Sequence, residues 1–173
     1  MARLRPTTEA DLAFVLAVES DPEHLDWIGQ WSRDRHQSAL KDNNLRHWIV
    51  VEAETARPVG YVILANLLDV DQSLLVQRLV ITEKGKGYGR SALRQVIYHA
   101  FETFQAHRVW LDVVDTNHRA RRLYDSLGFV EEGYLREAKK NSQGYASLVI
   151  MALLDQDYRR HPAFFPQDVP SVS

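Results

Sequence analysis

The sequence predicts a single α/β domain (α+β mixed), in which a mixed, mostly antiparallel sheet of about seven strands is flanked by about four helices. The length of 173 residues suits one domain. Short apolar runs bounded by turn residues recur along the chain, as strands do. A segment near the middle repeats its apolar residues at helical spacing, which predicts a long amphipathic helix on the sheet.

The composition excludes several classes of protein and site. The chain has no cysteine, which excludes disulfides, thiolate metal ligands and a cysteine nucleophile, and we expect no bound metal. A formal net charge of −2 provides no basic field for nucleic acid. No apolar stretch approaches the ~20 residues that span a membrane, and the N-terminus lacks the apolar region of a secretory signal. We therefore expect a cytoplasmic protein that binds neither nucleic acid nor membranes.

The first half of the chain predicts four strands and two helices. A short strand comes first, and Thr8 can then cap a helix, with Asp11 at the position where a capping box usually has Glu or Gln. Residues 20–46 are polar and aromatic, which predicts a loop followed by a second helix. The strands are predicted at Leu4–Thr7, Trp48–Glu52, Gly60–Leu67 and Leu74–Ile81.

The second half predicts two helices, a buried strand and a hairpin. Apolar residues at 93, 96, 97, 100, 101 and 104 mark one face of a helix. Arg108–Val114 is almost continuously apolar, as expected at the centre of a sheet. A shorter helix over Asn117–Leu127 ends at Gly128, a typical C′ glycine. Hairpin strands are predicted at Phe129–Ala138 and Tyr145–Leu154, with the domain at residues 1–158 and a Pro-containing tail at 159–173.

A glycine-rich loop lies directly after the fourth strand and before the long helix. It reads Lys84-Gly85-Lys86-Gly87-Tyr88-Gly89-Arg90. Glycines let several backbone N–H groups turn toward one point, and a helix start adds the positive end of its dipole. With three basic side chains nearby, the loop predicts a site for a pyrophosphate. The alternative is a glycine-rich turn with solvated lysines.

Two other phosphate-binding loops were compared with this pattern. The Walker motif is absent. Residues 87–92 do fit the dinucleotide fingerprint, and Asp112 follows a little over 20 residues later. That fingerprint normally opens the first βαβ unit, whereas here it lies in mid-chain behind strands predicted to be antiparallel. A nucleotide-binding Rossmann-like module therefore stays as the less favoured alternative.

The helix predicted over Asn117–Leu127 carries a polar pair. Asn117 and Tyr124 are seven residues apart and therefore share one face, two turns from each other. Ala120 and Leu123 contribute to the adjoining apolar face. Tyr124 is thus expected at the border between the core and a cleft, with its hydroxyl free to point outward. The alternative is a core tyrosine beside an Asn that only caps the helix.

Together these segments resemble the GNAT superfamily of N-acetyltransferases. Lys84 to Gly89 resembles the acyl-CoA motif Q/R-x-x-G-x-G/A, with Lys84 in place of the leading Gln or Arg. Asn117 to Phe129 resembles N-x-x-A-x-x-x-Y-x-x-x-G-F. Glu132 to Glu137 and the later Gly144-Tyr145 resemble the branch of ribosomal-protein N-terminal acetyltransferases and spermidine acetyltransferases. The resemblance extends from Leu4 to about Tyr158.

The resemblance implies an enzyme that transfers an acetyl group from acetyl-CoA to a primary amine, by direct attack in a ternary complex. It also implies a sheet splayed at the acyl-CoA site, with Tyr124 as the general acid that protonates the departing thiolate. A catalytically idle acyl-CoA-binding or sensing domain is the alternative, and it would not need Tyr124. The resemblance implies these cofactor-binding residues: Leu79, Val80, Ile81, Lys84, Gly85, Lys86, Gly87, Tyr88, Gly89, Arg90, Asn117, Ala120 and Tyr124.

The acceptor amine is expected to be a peptide N-terminus or a small molecule that meets residues 20–46. Trp27, Trp31 and His36 are candidate walls, although both tryptophans could instead be core. The strand before the loop carries no Glu, where many GNAT members have one, so no general base is assigned. Residues 24–47 contain four Lys or Arg against three Asp or Glu, which disfavours a polyamine because a polycation needs opposite charge. A homodimer is a further expectation.

Overall fold

Seven strands form one sheet within the described part of the chain. They are β1 (Ala2–Pro6), β2 (Leu45–Glu52), β3 (Pro58–Ala65), β4 (Ser73–Ile81), β5 (Arg108–Val114), β6 (Val130–Asn141) and β7 (Gly144–Leu154). The structure is a computed structural model that describes residues 1–164. The spatial order is β1-β2-β3-β4-β5-β7-β6, and β4–β5 is the parallel pair among otherwise antiparallel neighbours. The predicted fold class is confirmed.

Helices cover both faces of the sheet. They are α1 (Leu12–Ser20), α2 (Arg33–Ala39), α3 (Tyr88–Tyr98), α4 (His118–Asp125) and α5 (Asp155–Arg160). A π-helical turn extends α3 over His99–Thr103. Buried side chains of α3, α4 and α5 belong to one apolar cluster, and those of α1 and α2 belong to a second cluster on the opposite face.

The central strands are buried on both sides because helices lie on both. Along β3, Val62 and Leu64 belong to the cluster under α3 and α4, whereas Tyr61 and Ile63 belong to the cluster under α1 and α2. This alternation is the two-residue period of a strand. It explains why β3 is almost continuously apolar in sequence, like the buried strands of other α/β sheets.

The N-terminal side of α1 forms the capping box that its sequence predicts. Asp11 accepts hydrogen bonds from the Thr8 backbone N–H at 2.8 Å and from the Thr8 hydroxyl at 2.9 Å. Arg5 donates to the same carboxylate at 2.7 Å. These bonds, with Arg5 as the largest cause, hold the pKa of Asp11 at about 2. They attach α1 to β1, so that the direction of α1 across the sheet is set at its first turn.

The β4 and β5 strands separate after a short paired stretch, and this separation creates the site described below. The two strands pair over Ser73–Arg108, Leu74–Val109 and Leu75–Trp110. On the other side of β4, Leu64 lies opposite Val76 and Ile63 lies opposite Arg78, so Gln77 is the extra residue of a β-bulge. A bulge bends and twists its strand. The bulge therefore occurs where β4 turns away from β5.

Several predicted boundaries differ from the structure by one to three residues, and the second helix and the C-terminal segment differ more. The second helix is limited to α2, and the segment before it is irregular, so Trp27 and Trp31 are not on one helix. At the C-terminus, α5 continues to Arg160, and Phe164 packs on Tyr158 with ring centroids 5.0 Å apart. The domain limit at residue 158 stays a prediction, and residues 165–173 of the predicted tail lie outside the described residues. Among the helices of residues 1–164, none is long and apolar enough to cross a membrane.

Candidate active site

A cleft of about 810 Å³ opens where β4 and β5 separate. Residues 76–81 of β4 form one wall and residues 111–114 of β5 form the other. The glycine-rich loop and the start of α3 close one end. The first turns of α4 form part of the wall at this end. The rest of the cleft is lined by Lys139 and by His24, Trp27, Ile28 and Gly29.

The glycine-rich loop presents unpaired backbone N–H groups to the cleft. Gly85 and Gly87 have φ angles of 87° and 77°, the left-handed region that glycine adopts without strain. A Cβ at either residue would meet nothing within 4 Å, so backbone conformation rather than space requires glycine here. No backbone N–H from Lys84 to Arg90 donates a hydrogen bond to another described residue. Free N–H groups at a helix start form an anion site.

The basic side chains of the loop are held by nearby carboxylates and a hydroxyl. The Lys84 Nζ lies 2.8 Å from Glu23, the Lys86 Nζ lies 2.6 Å from Glu83, and Arg90 donates to Ser126 at 2.6 Å. Glu83 also pairs with Arg57, and the hydrogen bonds from Arg57 and Lys86 hold its pKa at about 2. Surface pairs of this kind contribute little stability, so they can exchange for a ligand phosphate at small cost.

Asn117 and Tyr124, the polar pair of α4, have structural contacts and also line the cleft. The Asn117 Oδ1 accepts a hydrogen bond from the Ala120 backbone N–H at 3.2 Å and caps the helix. The Tyr124 ring packs near Phe129, with centroids 5.9 Å apart, and the residue is only 8% exposed. Nevertheless Asn117 and Tyr124 both line the cleft, and the Tyr124 hydroxyl forms no hydrogen bond with a described residue. Burial, with a smaller contribution from the Asp112 carboxylate, raises the pKa of Tyr124 to about 12.

Nearly all of the predicted cofactor residues lie on the wall of this single cleft. Lys86 is the exception, because its side chain turns to Glu83. The cleft-lining members are Leu79, Val80, Ile81, Lys84, Gly85, Gly87, Tyr88, Gly89, Arg90, Asn117, Ala120 and Tyr124.

Comparison with known families decides between the GNAT family and the Rossmann-like module. A family model described as an acetyltransferase (GNAT) domain matches residues 2–130. The chain belongs to the GNAT acetyltransferase family. The resemblance predicted from the two signatures is confirmed. The Rossmann-like alternative is wrong, because that fold has a mostly parallel sheet and β4–β5 is the parallel pair among the described strands.

Individual relatives support the same family. Spermidine N(1)-acetyltransferase of Vibrio cholerae is 25% identical over 166 residues, which are 90% of this chain and 94% of that protein. Spermine/spermidine N(1)-acetyltransferase of Bacillus subtilis is 36% identical over 62 residues, 35% of this chain and 41% of that protein. The crystal structure of the Vibrio cholerae enzyme in complex with CoA and spermine shares the fold, with a TM-score of 0.83, 24% identity and coverage of 91% and 98%. This GNAT chain is accordingly an acetyl-CoA-dependent N-acetyltransferase.

We name two ends of the cleft for the groups that we propose they bind. The acyl-CoA end is residues 79–90 with residues 117–124, and the acceptor end is His24, Trp27, Ile28 and Gly29 with Arg78, Asp112 and Lys139. Of the three predicted acceptor walls, Trp27 is 40% exposed and lines the cleft. Trp31 and His36 lie in the interior, because they pack between α1 and the sheet. They do not line the cleft.

Asp112 and Lys139 are cleft residues that motif reasoning missed. Asp112 is exposed and accepts no hydrogen bond from a described residue. The period of two along β5 could have placed it, since Val109, Leu111 and Val113 are buried on the opposite face. Lys139 lies one residue beyond the predicted hairpin strand and carried no signal. Burial, and then the charge of Arg78, lowers the pKa of Lys139.

Glu52 and His47 do not line the cleft. Glu52 accepts hydrogen bonds from Tyr88 and Thr55 beside the glycine-rich loop. His47 is buried against His36. Asp112 and Glu83 are therefore the carboxylates on the cleft wall within residues 1–164.

Proposed function

We propose that the enzyme acetylates the primary amine of a peptide N-terminus or small molecule, and that Tyr124 and Asp112 act on the reacting groups. The observation that carries this proposal is the single cleft that joins the anion site of the glycine-rich loop to Tyr124 and Asp112. Acetyl-CoA and the amine can then meet between β4 and β5 without a covalent enzyme intermediate. The idle-sensor alternative gives no role to either side chain.

The acyl-CoA end would hold the cofactor mainly by its backbone. The free N–H groups of residues 85–90 would bind the pyrophosphate, and Lys84 and Arg90 would add charge. Beyond Leu75 the edge of β4 has no partner in β5. The pantetheine arm can therefore pair with residues 79–81 as an added strand would. Asn117 keeps its side-chain N–H groups free for the same arm while its oxygen caps α4.

Tyr124 is proposed as the general acid. The neutral amine nitrogen bonds to the thioester carbonyl carbon and the C–S bond breaks. The leaving thiolate takes the hydroxyl proton of Tyr124, and the nitrogen releases its extra proton to solvent, which gives a neutral amide. With a pKa of about 12 the hydroxyl keeps its proton at neutral pH. A free thiol has a pKa of ~8.5, so the transfer is uphill unless it accompanies C–S cleavage. Solvent returns the proton to Tyr124 after CoA leaves.

Asp112 is proposed as the group that receives the acceptor ammonium and then its proton. An alkyl amine is mostly protonated at pH 7 and must lose a proton before it attacks. Of the two cleft carboxylates, Glu83 is paired with Arg57 and Lys86, whereas Asp112 forms no hydrogen bond or ion pair with a described residue. Asp112 also raises the pKa of Tyr124, which puts the two groups in the same stretch of the cleft.

The charges at the acceptor end favour a monoamine over a polyamine. The relatives in Vibrio cholerae and Bacillus subtilis are named for spermidine or spermine. A polyamine would need a carboxylate for each of its ammonium groups. Among the described residues that line the acceptor end, Asp112 is the one carboxylate, and Arg78 and Lys139 are both basic. A homodimer and a cytoplasmic location stay predictions.

An acceptor scan tests this function. Thiol release from acetyl-CoA is measured with primary monoamines, short peptides and spermidine, on wild type, Asp112→Asn and Asp115→Asn. We expect faster turnover with a monoamine or a peptide than with spermidine. Asp112→Asn should lower kcat/KM at least tenfold, within the range of acid–base catalysis. Asp115→Asn is the control, because Asp115 follows the same strand but does not line the cleft. Failure to release thiol with every amine would refute the acetyltransferase, and a preference for spermidine would refute the monoamine.

A further inference from the structure

Glu19, in the last turn of α1, is a buried carboxylate with no part in the chemistry proposed above. It is 2% exposed. A buried carboxylate is costly unless hydrogen bonds and an opposite charge compensate it. The groups that contact this carboxylate therefore indicate which parts of the fold it holds in place.

The Glu19 carboxylate contacts three separate segments, two of them through hydrogen bonds. Tyr61 of β3 donates its hydroxyl to Oε1 at 2.6 Å, and the Trp31 backbone N–H donates to Oε2 at 2.9 Å. The Nε2 of His36 in α2 lies 3.2 Å from Oε1. Burial alone would raise the pKa of Glu19, but the bonds from His36, Tyr61 and Trp31 lower it below its usual value. The carboxylate is therefore ionised in the folded protein.

Two histidines extend this cluster away from the cleft. The His36 Nδ1 lies 3.1 Å from the His47 Nε2, and the His47 Nδ1 lies 2.9 Å from the Thr7 hydroxyl. Burial, then the nearby His36, lowers the pKa of His47 to about 4, so His47 is neutral at pH 7. These contacts link Glu19 through α2 to β2.

Arg78 approaches the same carboxylate from the β4 bulge. Its Nε lies 4.0 Å from the Glu19 Oε1, and its Nη1 donates to the carbonyl of Gln77, the extra residue of the bulge, at 2.9 Å. Its guanidinium lies over the Trp31 ring, 5.5 Å from the centroid. A Cβ at Gly29 would lie 2.7 Å from its Nη2, so the loop backbone packs directly on the guanidinium.

These contacts connect Glu19 to the acceptor end of the cleft. Arg78 and Gly29 line it, and the Trp31 ring packs behind them against the Arg78 guanidinium. Gln30 adds a second anchor, because its side-chain N–H donates to the Glu19 carbonyl at 2.9 Å. The acyl-CoA end has no contact with this carboxylate among the described residues. A change at Glu19 should therefore weaken binding of the acceptor and leave binding of acetyl-CoA unchanged.

We propose that Glu19 is a positioning residue for the acceptor. It holds Arg78 in place and, through Gln30 and Trp31, it holds Ile28 and Gly29, which line the amine site with Arg78. The proposal rests on the proposed function only in that the amine binds in this cleft. Removing the charge of Glu19 frees the Arg78 guanidinium and loosens the loop, while the glycine-rich loop and α4 keep their structure.

The test is Glu19→Gln, which keeps the side-chain shape and removes the charge. We expect the amine KM to rise at least tenfold, kcat to change less than threefold, and the acetyl-CoA Kd to stay within twofold. Tyr61→Phe is the matched control, because it removes one bond to the same carboxylate but leaves its charge; its amine KM should rise less. An unchanged amine KM, or a parallel loss of acetyl-CoA affinity, would overturn the proposal.

Two further measurements keep the outcome decisive. If Glu19→Gln does not fold, Arg78→Gln removes the other half of the pair at the cleft surface, and the same rise in amine KM is expected. Amine Kd is also measured by calorimetry with CoA bound. If wild type binds the amine but releases no thiol, the proposed function fails while the Kd of the variants still tests Glu19.

Discussion

The acyl-CoA end and the acceptor end of the cleft are built in different ways. The acyl-CoA end comes from two continuous segments, and its anion site consists of backbone N–H groups at a helix start. The acceptor end comes from side chains on the loop after α1, on β4, on β5 and on β6, which meet only in the folded protein. The first depends on local backbone conformation, and the second depends on charges that distant elements hold in place.

This difference determines which changes each end tolerates. At the acyl-CoA end most side chains can change as long as the backbone keeps its turn, so glycines are the sensitive positions. At the acceptor end the sensitive positions are buried polar groups, because removing one partner leaves another unpaired. Three predictions, from the largest expected effect to the smallest, sharpen this contrast.

Gly87→Val should have the largest effect, on the acyl-CoA end alone. Gly87 has a φ of 77°, a conformation that a β-branched residue rarely adopts. The loop should change its turn and lose the aligned N–H groups, with acetyl-CoA Kd weakened at least about 100-fold by calorimetry, or about 2.7 kcal/mol. NAD should not bind either protein.

The control is Gly144→Val in the β6–β7 turn. Gly144 also has a positive φ, of 127°, and open space around its Cβ, so it carries a similar strain away from the cleft. Its acetyl-CoA Kd should match wild type. Equal losses of affinity in both variants would show that general strain, and not the loop, is being measured.

Tyr124→Phe should lower kcat about 100-fold, as the loss of a general acid does. The ring stays packed beside Phe129, so acetyl-CoA Kd should change little. Tyr134→Phe removes an exposed hydroxyl that bonds to Asp115 outside the cleft, and it should leave kcat unchanged. If the single-turnover rate constant of Tyr124→Phe equals that of wild type, Tyr124 is not the acid. A tenfold weaker Kd with a matching loss of rate would indicate a binding role instead.

The smallest effect concerns the stability of the protein, through the buried cluster of Glu19, His36 and His47 behind the acceptor end. The pKa of His47 is about 4 in the folded protein and ~6.5 in an unfolded chain. Between these values the unfolded chain takes up a proton that the folded chain refuses, so stability falls as pH falls. The free energy of unfolding should drop by about 2 kcal/mol from this group between pH 7 and pH 5. Denaturant unfolding at both pH values measures it, and His47→Gln should remove that part of the slope; an equal slope in the variant would contradict the assignment.

Much of the fold was predictable because its signals are local. The β5 strand has the predicted bounds, since a continuous apolar run flanked by polar residues leaves little choice. The Thr8–Asp11 capping box, the helix start at the glycine-rich loop and the C′ Gly128 also depend on neighbours within a few residues. The hairpin strands were found but β6 was predicted three residues too short, because its exposed residues show no apolar pattern.

The acceptor end was predicted less well for the opposite reason. Trp27, Trp31 and His36 are similar in sequence terms, yet only Trp27 lines the cleft. Glu19 follows the helical stripe of α1 and gives no local sign that β3, α2 and β4 will surround it. Asp112 looked like part of a nucleotide fingerprint, and only the separation of β4 and β5 puts it opposite Arg78.

The sequence by itself determined the strands, the helices, the anion-binding loop and the family, because each is encoded by a contiguous segment whose backbone preference is local. Tertiary structure alone decided that β4 and β5 separate after Leu75 and that Tyr124 and Asp112 line one cleft. It also decided that Arg78 lies beside the buried carboxylate of Glu19. These arrangements depend on contacts between residues far apart in the chain. The energy of such contacts comes from burial and charge pairing, which exist only once the sheet and helices have packed.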